Sequence, residues 1–163
     1  MNIIIEGCDG AGKSTLATFL QRGLGMGVQG SEGPGRSETE INQRVERYAE
    51  YTDTIFDRHP CVSQLIYNKF REGPKITLPN MQLFLKRLPK TMVIYCADAD
   101  FDAQQFKSHD TPEHINMMRD NFDYLVEQYE DWAIMYANII YRKNHYTEQL
   151  LHMIEAFEEY NYV

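Results

Sequence analysis

Cysteine is scarce in this chain, and long hydrophobic runs are missing. The three cysteines, Cys8, Cys61 and Cys96, are scattered and form no CxxC pair. Their pattern argues against a disulfide framework or structural zinc and fits a reducing compartment. The first apolar run ends at residue 6, has no basic stretch before it, and is too short for a signal peptide or a membrane span. We therefore expect a cytoplasmic protein without a membrane partner.

Basic residues are also few. Lys and Arg number 16 against 24 Asp and Glu, so the formal charge is −8, the wrong sign for a surface that follows nucleic-acid phosphates. We expect no nucleic-acid partner, although a local cluster of amides and arginines can still bind a small phosphorylated ligand. The 163 residues, 43% hydrophobic and 25% charged, are typical of one folded domain.

Short β-rich segments alternate with segments of helical period along the chain. The predicted strands are Asn2–Glu6, residues 27–30, Thr54–Asp57, Thr91–Cys96 and residues 138–142. Helical periods occur at residues 16–24, 112–137 and 147–160. This order is typical of an α/β domain in which a parallel five-stranded sheet is flanked by helices on both faces.

The segment 112–137 carries one long apolar seam. Apolar residues recur there at every third or fourth position from Ile115 to Tyr136, which predicts a single helix. We prefer the interpretation in which the seam packs against the core. A helix-to-helix homodimer contact is the alternative, and it requires this seam or a neighbouring one to be exposed in the monomer.

The clearest motif is a phosphate-binding loop. Residues 7–14 read GCDGAGKS and match G-x-x-x-x-G-K-[ST] without a mismatch. The preceding strand and the following helix allow backbone amides and a helix N-terminus to surround phosphates. We expect Lys13 to reach the β- and γ-phosphates and Ser14 to bind Mg²⁺, so the motif predicts ATP or GTP binding. The expected nucleotide-binding residues are Gly10, Ala11, Gly12, Lys13, Ser14 and Thr15.

A second candidate site is the pair Asp57-Arg58 at the end of the strand Thr54–Asp57. The carboxyl end of a parallel strand faces the ligand crevice of such sheets. Asp57 is expected to bind the metal or its water, or to take the acceptor's proton, and Arg58 to bind a phosphate oxygen. A surface salt bridge or a turn is the alternative, but the phosphate-binding loop upstream favours the catalytic interpretation.

Three stretches together resemble thymidylate kinases. Residues 6–15, EGCDGAGKST, resemble that family's P-loop, E-G-x-D-G-A-G-K-[ST]-T. Residues 31–37 are similar to its T-R-E-P-G-G-T loop in the Pro-Gly centre and the terminal hydroxyls. Asp57-Arg58-His59, followed by Ser63, resembles its D-R-Y-x-x-S-S segment. The resemblance implies one P-loop NTPase domain over residues 1–163. It also implies transfer of the ATP γ-phosphate, with Mg²⁺, to a deoxynucleoside monophosphate, first of all dTMP.

The resemblance also implies roles for individual residues. Asp9 is expected to bind the sugar 3′-hydroxyl of the acceptor, and Arg58 its phosphate. Arg36 is expected to replace the arginine of the proline loop, because Glu32 occupies that arginine's position. Ser63 is a further substrate-binding candidate.

The chain departs from the family at the base-reading helix and at the lid. Residues 38–51 contain no Phe, so Arg44 and Tyr48 are the candidates for acceptor binding, with ordinary packing as the alternative. The short lid expected at about residues 101–112 has no arginine. We expect Lys107 to supply the catalytic cation, or Arg119 if the lid folds back onto it, and otherwise a slow enzyme.

Other functions stay open at this stage. A deoxynucleoside kinase would need fewer cations for its uncharged acceptor, and an unusual base or another small hydroxyl compound is a further possible acceptor. A GTPase switch is disfavoured because no Asn-Lys-x-Asp motif is found. A nucleotide-binding protein without turnover is the remaining alternative.

Overall fold

The computed structural model describes residues 1–99, 111–143 and 147–162. The strands are β1 (Asn2–Glu6), β2 (Gly27–Gln29), β3 (Thr54–Asp57), β4 (Thr91–Cys96) and β5 (Ile139–Tyr141). The helices are α1 (Lys13–Leu24), α2 (Glu38–Tyr48), α3 (Pro60–Tyr67), α4 (Leu78–Arg87), α5 (Pro112–Tyr136) and α6 (Thr147–Tyr162). A 3₁₀ turn, Leu88–Lys90, precedes β4. None of the described helices combines the length and apolarity that a membrane span requires.

All five strands pair in parallel, in the order β2-β3-β1-β4-β5. The inner strands β1, β3 and β4 are almost fully buried, as expected for strands covered on both faces. Ile3, Ile4 and Ile5 of β1 are all buried. The parallel arrangement brings the carboxyl ends of the strands to one edge of the sheet, where the loops after β1 and β3 meet.

Helices cover both faces of the sheet, as the sequence predicted. Ile3 and Ile5 belong to the core that α1 and α6 cover, because successive strand residues point to opposite faces. Ile4 lies instead against Tyr48 of α2 and Phe56 of β3. The five-stranded α/β architecture inferred from the sequence is therefore confirmed.

The apolar seam of α5 faces the core. Met118, Leu125 and Tyr129 are buried together with Val62 of α3 and Tyr95 of β4. This packing confirms the preferred interpretation of the seam. A homodimer stays a prediction.

The structure differs from the sequence prediction at short elements. The edge strands β2 and β5 are shorter than predicted, because each pairs on one side only. Helices α3 and α4 were not predicted, since they contain only 8 and 10 residues. Their start signals are a Pro in the first turn of each and, for α3, the His59 side chain, which accepts from the Cys61 amide at 3.1 Å.

Candidate active site

Glycines shape the loop between β1 and α1. Gly7 has a φ of +151°, and a Cβ at this position would lie 2.6 Å from the backbone oxygen of Cys96. Only glycine permits this close approach to β4. Gly12, with a φ of 83°, caps α1 without a side-chain hydrogen bond. The first-turn amides of α1 therefore face the loop without a side-chain cap, as an anion site requires.

Lys13 places a buried ammonium group inside the loop. Its side chain is 7% exposed, and Nζ donates to the backbone oxygen of Cys8 at 2.7 Å. Burial, reinforced by the positive charge of Arg58, lowers the pKa of Lys13 to about 8. The negative charge of a bound phosphate would favour the protonated form.

Ser14 and Asp57 form the candidate magnesium site. Ser14 Oγ donates to Asp57 Oδ2 at 2.7 Å, although the two residues are 43 positions apart in the chain. The start of α1 and the end of β3 therefore meet at this site. A hydroxyl and a carboxylate are the hard oxygen ligands that Mg²⁺ prefers. The described residues contain no cluster of three or more His, Cys, Asp or Glu side chains that could hold a metal. The pair thus fits a metal that takes its other ligands from phosphate oxygens and water.

Arg58 is the centre of a buried network. Its backbone has a φ of 74°, and its guanidinium group donates to Asp9 Oδ1 at 2.6 Å and to the Tyr129 hydroxyl at 2.8 Å. Glu6 Oε2 lies 3.8 Å from Arg58 and accepts from the Tyr129 hydroxyl at 3.1 Å. His114 Nε2 lies 3.7 Å from Asp9 Oδ2. The network therefore links the P-loop, β1, β3 and α5.

The two carboxylates of this network have opposite pKa shifts. Burial raises the pKa of Glu6, although Arg58 and the His59 amide act against it. Burial also acts to raise the pKa of Asp9, but the charge of Arg58 and the contact with His114 outweigh it and hold that pKa below its usual range. Asp9 is therefore ionised beside Arg58 at neutral pH.

A cavity of about 980 Å³ joins these groups. The predicted site residues in its wall are Asp9, Gly10, Gly12, Lys13, Ser14, Thr15, Arg44, Tyr48, Asp57, Arg58 and Ser63. The volume lies at the upper end of the range for small-molecule sites, about 300–1,000 Å³. The predicted donor and acceptor residues thus face one shared space.

The end of the cavity away from the P-loop contains an ionic cluster. Glu32 accepts hydrogen bonds from the Tyr48 hydroxyl, at 2.5 Å, and from Arg47. Burial acts to raise the pKa of Glu32, but these two bonds lower it overall. Arg44 donates to Glu40 Oε1 at 2.7 Å and to the Gly33 oxygen at 2.6 Å. Arg44 and Tyr48 are therefore held in the wall by acidic neighbours.

Three predicted residues, Arg36, Ala11 and Lys107, are not among the described residues in the wall. Arg36 is exposed and does not line the cavity, and its backbone amide donates to Glu40 Oε2 at 3.2 Å in the first turn of α2. The arginine that the cavity wall contains on this side is Arg44 instead, which corrects the expected place of Arg36. Ala11 is buried in the core beneath the loop, so its side chain does not face the ligand space. Lys107 and most of the expected lid, residues 100–110, lie outside the described residues.

Arg119 and Lys143 are two further cations of the chain, and only one of them lines the cavity. Arg119 is exposed and donates to Asn116 Oδ1 at 3.3 Å, and it does not line the cavity. Lys143 does line it, and its Nζ donates to the Gly10 oxygen at 2.6 Å. Asp98 holds this segment by accepting from the Lys143 amide at 2.7 Å. The donor side of the cavity thus has a lysine from the end of β5.

Sequence reasoning missed Tyr129, His114 and Arg71 as site residues. Tyr129 is part of the apolar seam of α5, yet a buried tyrosine needs a partner for its hydroxyl, and this was the available signal. His114 and Arg71 gave no signal, because their role depends on which elements pack together. Both line the cavity.

Comparisons with known proteins agree with this geometry. No protein-family model and no curated protein matches the chain. Among solved structures, the YorR protein from Bacillus subtilis, in complex with phosphorylated GDP, has a TM-score of 0.70 at 19% identity and covers 95% of this chain and 96% of its own. The chain has the fold of P-loop kinases.

Two further P-loop kinases share this fold. Deoxyadenosine kinase from M. mycoides, with the products dCMP and dCDP bound, has a TM-score of 0.58 at 14% identity and covers 96% of this chain and 97% of its own. Shikimate kinase from Acinetobacter baumannii, in complex with shikimate, has a TM-score of 0.51 at 13% identity, covering 95% and 93%. At these identities the similarity establishes the fold, and the substrate needs its own argument.

Proposed function

We propose that the chain is a cytoplasmic deoxynucleoside monophosphate kinase that transfers the γ-phosphoryl group of ATP, with Mg²⁺, to an acceptor such as dTMP. The observation that carries this proposal is the shared cavity, whose wall contains Lys13, Ser14 and Asp57 together with three arginines. An acceptor phosphate placed beside the γ-phosphate of ATP needs fixed cations to offset the accumulated negative charge. Arg58, which directly follows Asp57 in the chain, is one of these cations in the cavity wall.

In this proposal each residue has a defined task. The loop amides and Lys13 hold the triphosphate, and Ser14 and Asp57 hold the metal. Bound Mg²⁺ would offset charge on the phosphate oxygens. Arg58 keeps its positive charge in place because Asp9 and Tyr129 fix its orientation. Positioning and electrostatic stabilisation are most of what phosphoryl transfer asks of a protein.

The ligands named for similar structures support nucleotide binding by this fold. M. mycoides deoxyadenosine kinase holds dCMP and dCDP, and the YorR protein holds a phosphorylated GDP. Both are nucleotides, and both proteins share the fold of this chain.

A deoxynucleoside kinase is the second candidate. It is favoured by the engagement of Arg58, whose donors already bond Asp9 and Tyr129, and by the carboxylate of Glu32 in the cavity wall. The similarity to shikimate kinase is a reason to include small hydroxyl compounds among the candidate acceptors. Nucleotide binding without turnover is the third candidate.

An acceptor panel tests the proposal directly. ADP release from ATP and Mg²⁺ would be measured with dTMP, dUMP, dGMP, dCMP and dAMP, with the matching nucleosides, and with shikimate. We expect a monophosphate to stimulate ADP release and EDTA to abolish it. Stimulation by nucleosides alone would favour the second candidate, and no stimulation by any acceptor would contradict kinase activity.

A further inference from the structure

Arg71 differs from the other cations of the cavity because it has no oxygen partner among the described residues. It follows α3, is half-buried, and lines the cavity. Its guanidinium carbon lies 5.3 Å from the centre of the Tyr67 ring. Its side chain makes no hydrogen bond or ion pair within the part of the chain that the structure describes. The described cavity cations that do bond a protein oxygen are Lys13, Arg44, Arg58 and Lys143.

The surroundings of Arg71 favour an anion. The guanidinium carbon of Arg58 lies 5.4 Å from the centre of the same Tyr67 ring. Two guanidinium groups therefore lie close to one aromatic ring. Burial lowers the pKa of Arg71, and the charge of Arg58 acts in the same direction, while Tyr67 and Asp9 act against it. A negatively charged group near both arginines would offset their mutual repulsion.

We propose that Arg71, supported by the ring of Tyr67, binds the phosphate of the acceptor and makes the cavity prefer monophosphates to nucleosides. This inference rests on the proposed kinase function and assigns a specificity-determining residue to it. A guanidinium group has a planar set of donors that matches a phosphate in bidentate fashion. The donors of Arg71 bond no oxygen of the described residues, whereas those of Arg58 bond Asp9 and Tyr129.

Calorimetric titration of dTMP and thymidine, and of dGMP and deoxyguanosine, tests the inference. The variants are Arg71→Gln and Arg71→Lys, with Arg22→Gln as the matched control, since Arg22 is an exposed arginine in the last turn of α1. We expect Arg71→Gln to weaken binding of the preferred monophosphate by about 10- to 100-fold and to leave nucleoside and Mg·ATP binding unchanged. Arg71→Lys keeps the positive charge but loses the planar set of donors. Its affinity for the monophosphate should therefore lie between those of wild type and Arg71→Gln.

The outcomes separate this inference from the proposed function. Equal monophosphate affinities for Arg71→Gln and Arg22→Gln would overturn the inference, as would a wild-type protein that prefers no monophosphate to its nucleoside or that binds shikimate more tightly than any monophosphate. ADP release with a nucleoside or with shikimate in that protein would leave kinase activity intact. Conversely, Arg71-dependent monophosphate binding without ADP release would contradict the kinase function alone.

Discussion

Lys13 carries a charge that the folded protein holds at some cost. Its ammonium group is buried and bonds one carbonyl oxygen. The negative charges of Asp9, Asp57 and Glu6 raise its pKa, but burial and Arg58 outweigh them. Such destabilised groups are common where a ligand supplies the missing interactions. The triphosphate of the donor would do so here.

Replacing this lysine separates stability from activity. The folded pKa of about 8 lies below the usual lysine pKa of 10.5. The unfolded chain therefore binds more protons between these pH values, and the free energy of unfolding rises with pH there. Below about pH 8 the destabilisation by Lys13 is fully present. We expect Lys13→Met to unfold with about 1–3 kcal/mol more free energy than wild type at pH 7 and to lose turnover by about 100-fold or more.

Urea denaturation at pH 7 and pH 10, with ADP release as the activity readout, checks this expectation. The difference in stability between the two proteins should shrink as the pH rises, because above about pH 8 the folded state loses the proton of Lys13 and no longer buries its charge. Comparing the two proteins cancels the titration of the other groups. A Lys13→Met protein that is less stable than wild type at pH 7 would contradict the account of the buried charge.

At the scale of elements, α5 holds Arg58 in position through one hydroxyl. Tyr129 lies between Glu6 of β1 and Arg58 at the end of β3, at 3.1 Å and 2.8 Å. The left-handed backbone of Arg58, with a φ of 74°, costs a non-glycine residue about 1–2 kcal/mol. The bonds from α5 and from the P-loop offset that cost. Tyr129 therefore acts as a positioning residue for Arg58.

Removing this hydroxyl should affect turnover more than donor binding. Tyr129→Phe is expected to lower the free energy of unfolding by about 1–2 kcal/mol and kcat by about tenfold, with the KM for ATP nearly unchanged. Tyr124→Phe is the matched control, because Tyr124 lies on the same helix and is 50% exposed. Steady-state kinetics of both variants decide the matter: equal kcat values would leave Tyr129 with a packing role only.

Whether an element could be predicted from the sequence depended on its length and on whether it has neighbours on both sides. The α5 seam and the apolar strands β1, β3 and β4 were predicted because each shows a clear pattern over its whole length. The edge strands β2 and β5 were less well bounded, since they pair on one side. Helices α3 and α4 escaped prediction, as their short length lets tertiary packing dominate over local period.

At the scale of the whole molecule, the site is assembled from distant parts of the chain. Ser14 and Asp57 are 43 positions apart, and Arg58 and Tyr129 are 71 apart. Ligand binding to the folded state alone should therefore stabilise the whole domain, because the unfolded chain cannot form this site.

Thermal unfolding with Mg·ATP measures this coupling. At a ligand concentration of about 100 times Kd the stabilisation is about 2.7 kcal/mol, which corresponds to a rise in Tm of about 5–10 °C for a domain of this size. We expect EDTA and Ser14→Ala each to reduce the shift. Thr18→Ala, which removes an exposed hydroxyl on the same helix, should keep it. A shift that is equal with and without EDTA would argue against the metal site at Ser14 and Asp57.

The sequence by itself determined the α/β fold, the phosphate-binding loop and the position of Asp57-Arg58, because these depend on apolar periodicity and on residues that are adjacent in the chain. It did not determine that Arg58 bonds Asp9 and Tyr129, that Arg44 rather than Arg36 lines the cavity, or that Arg71 has no oxygen partner among the described residues. These features depend on side chains from different helices meeting at one edge of the sheet. Only the packing of those helices decides which charges are neutralised within the protein and which face the ligand.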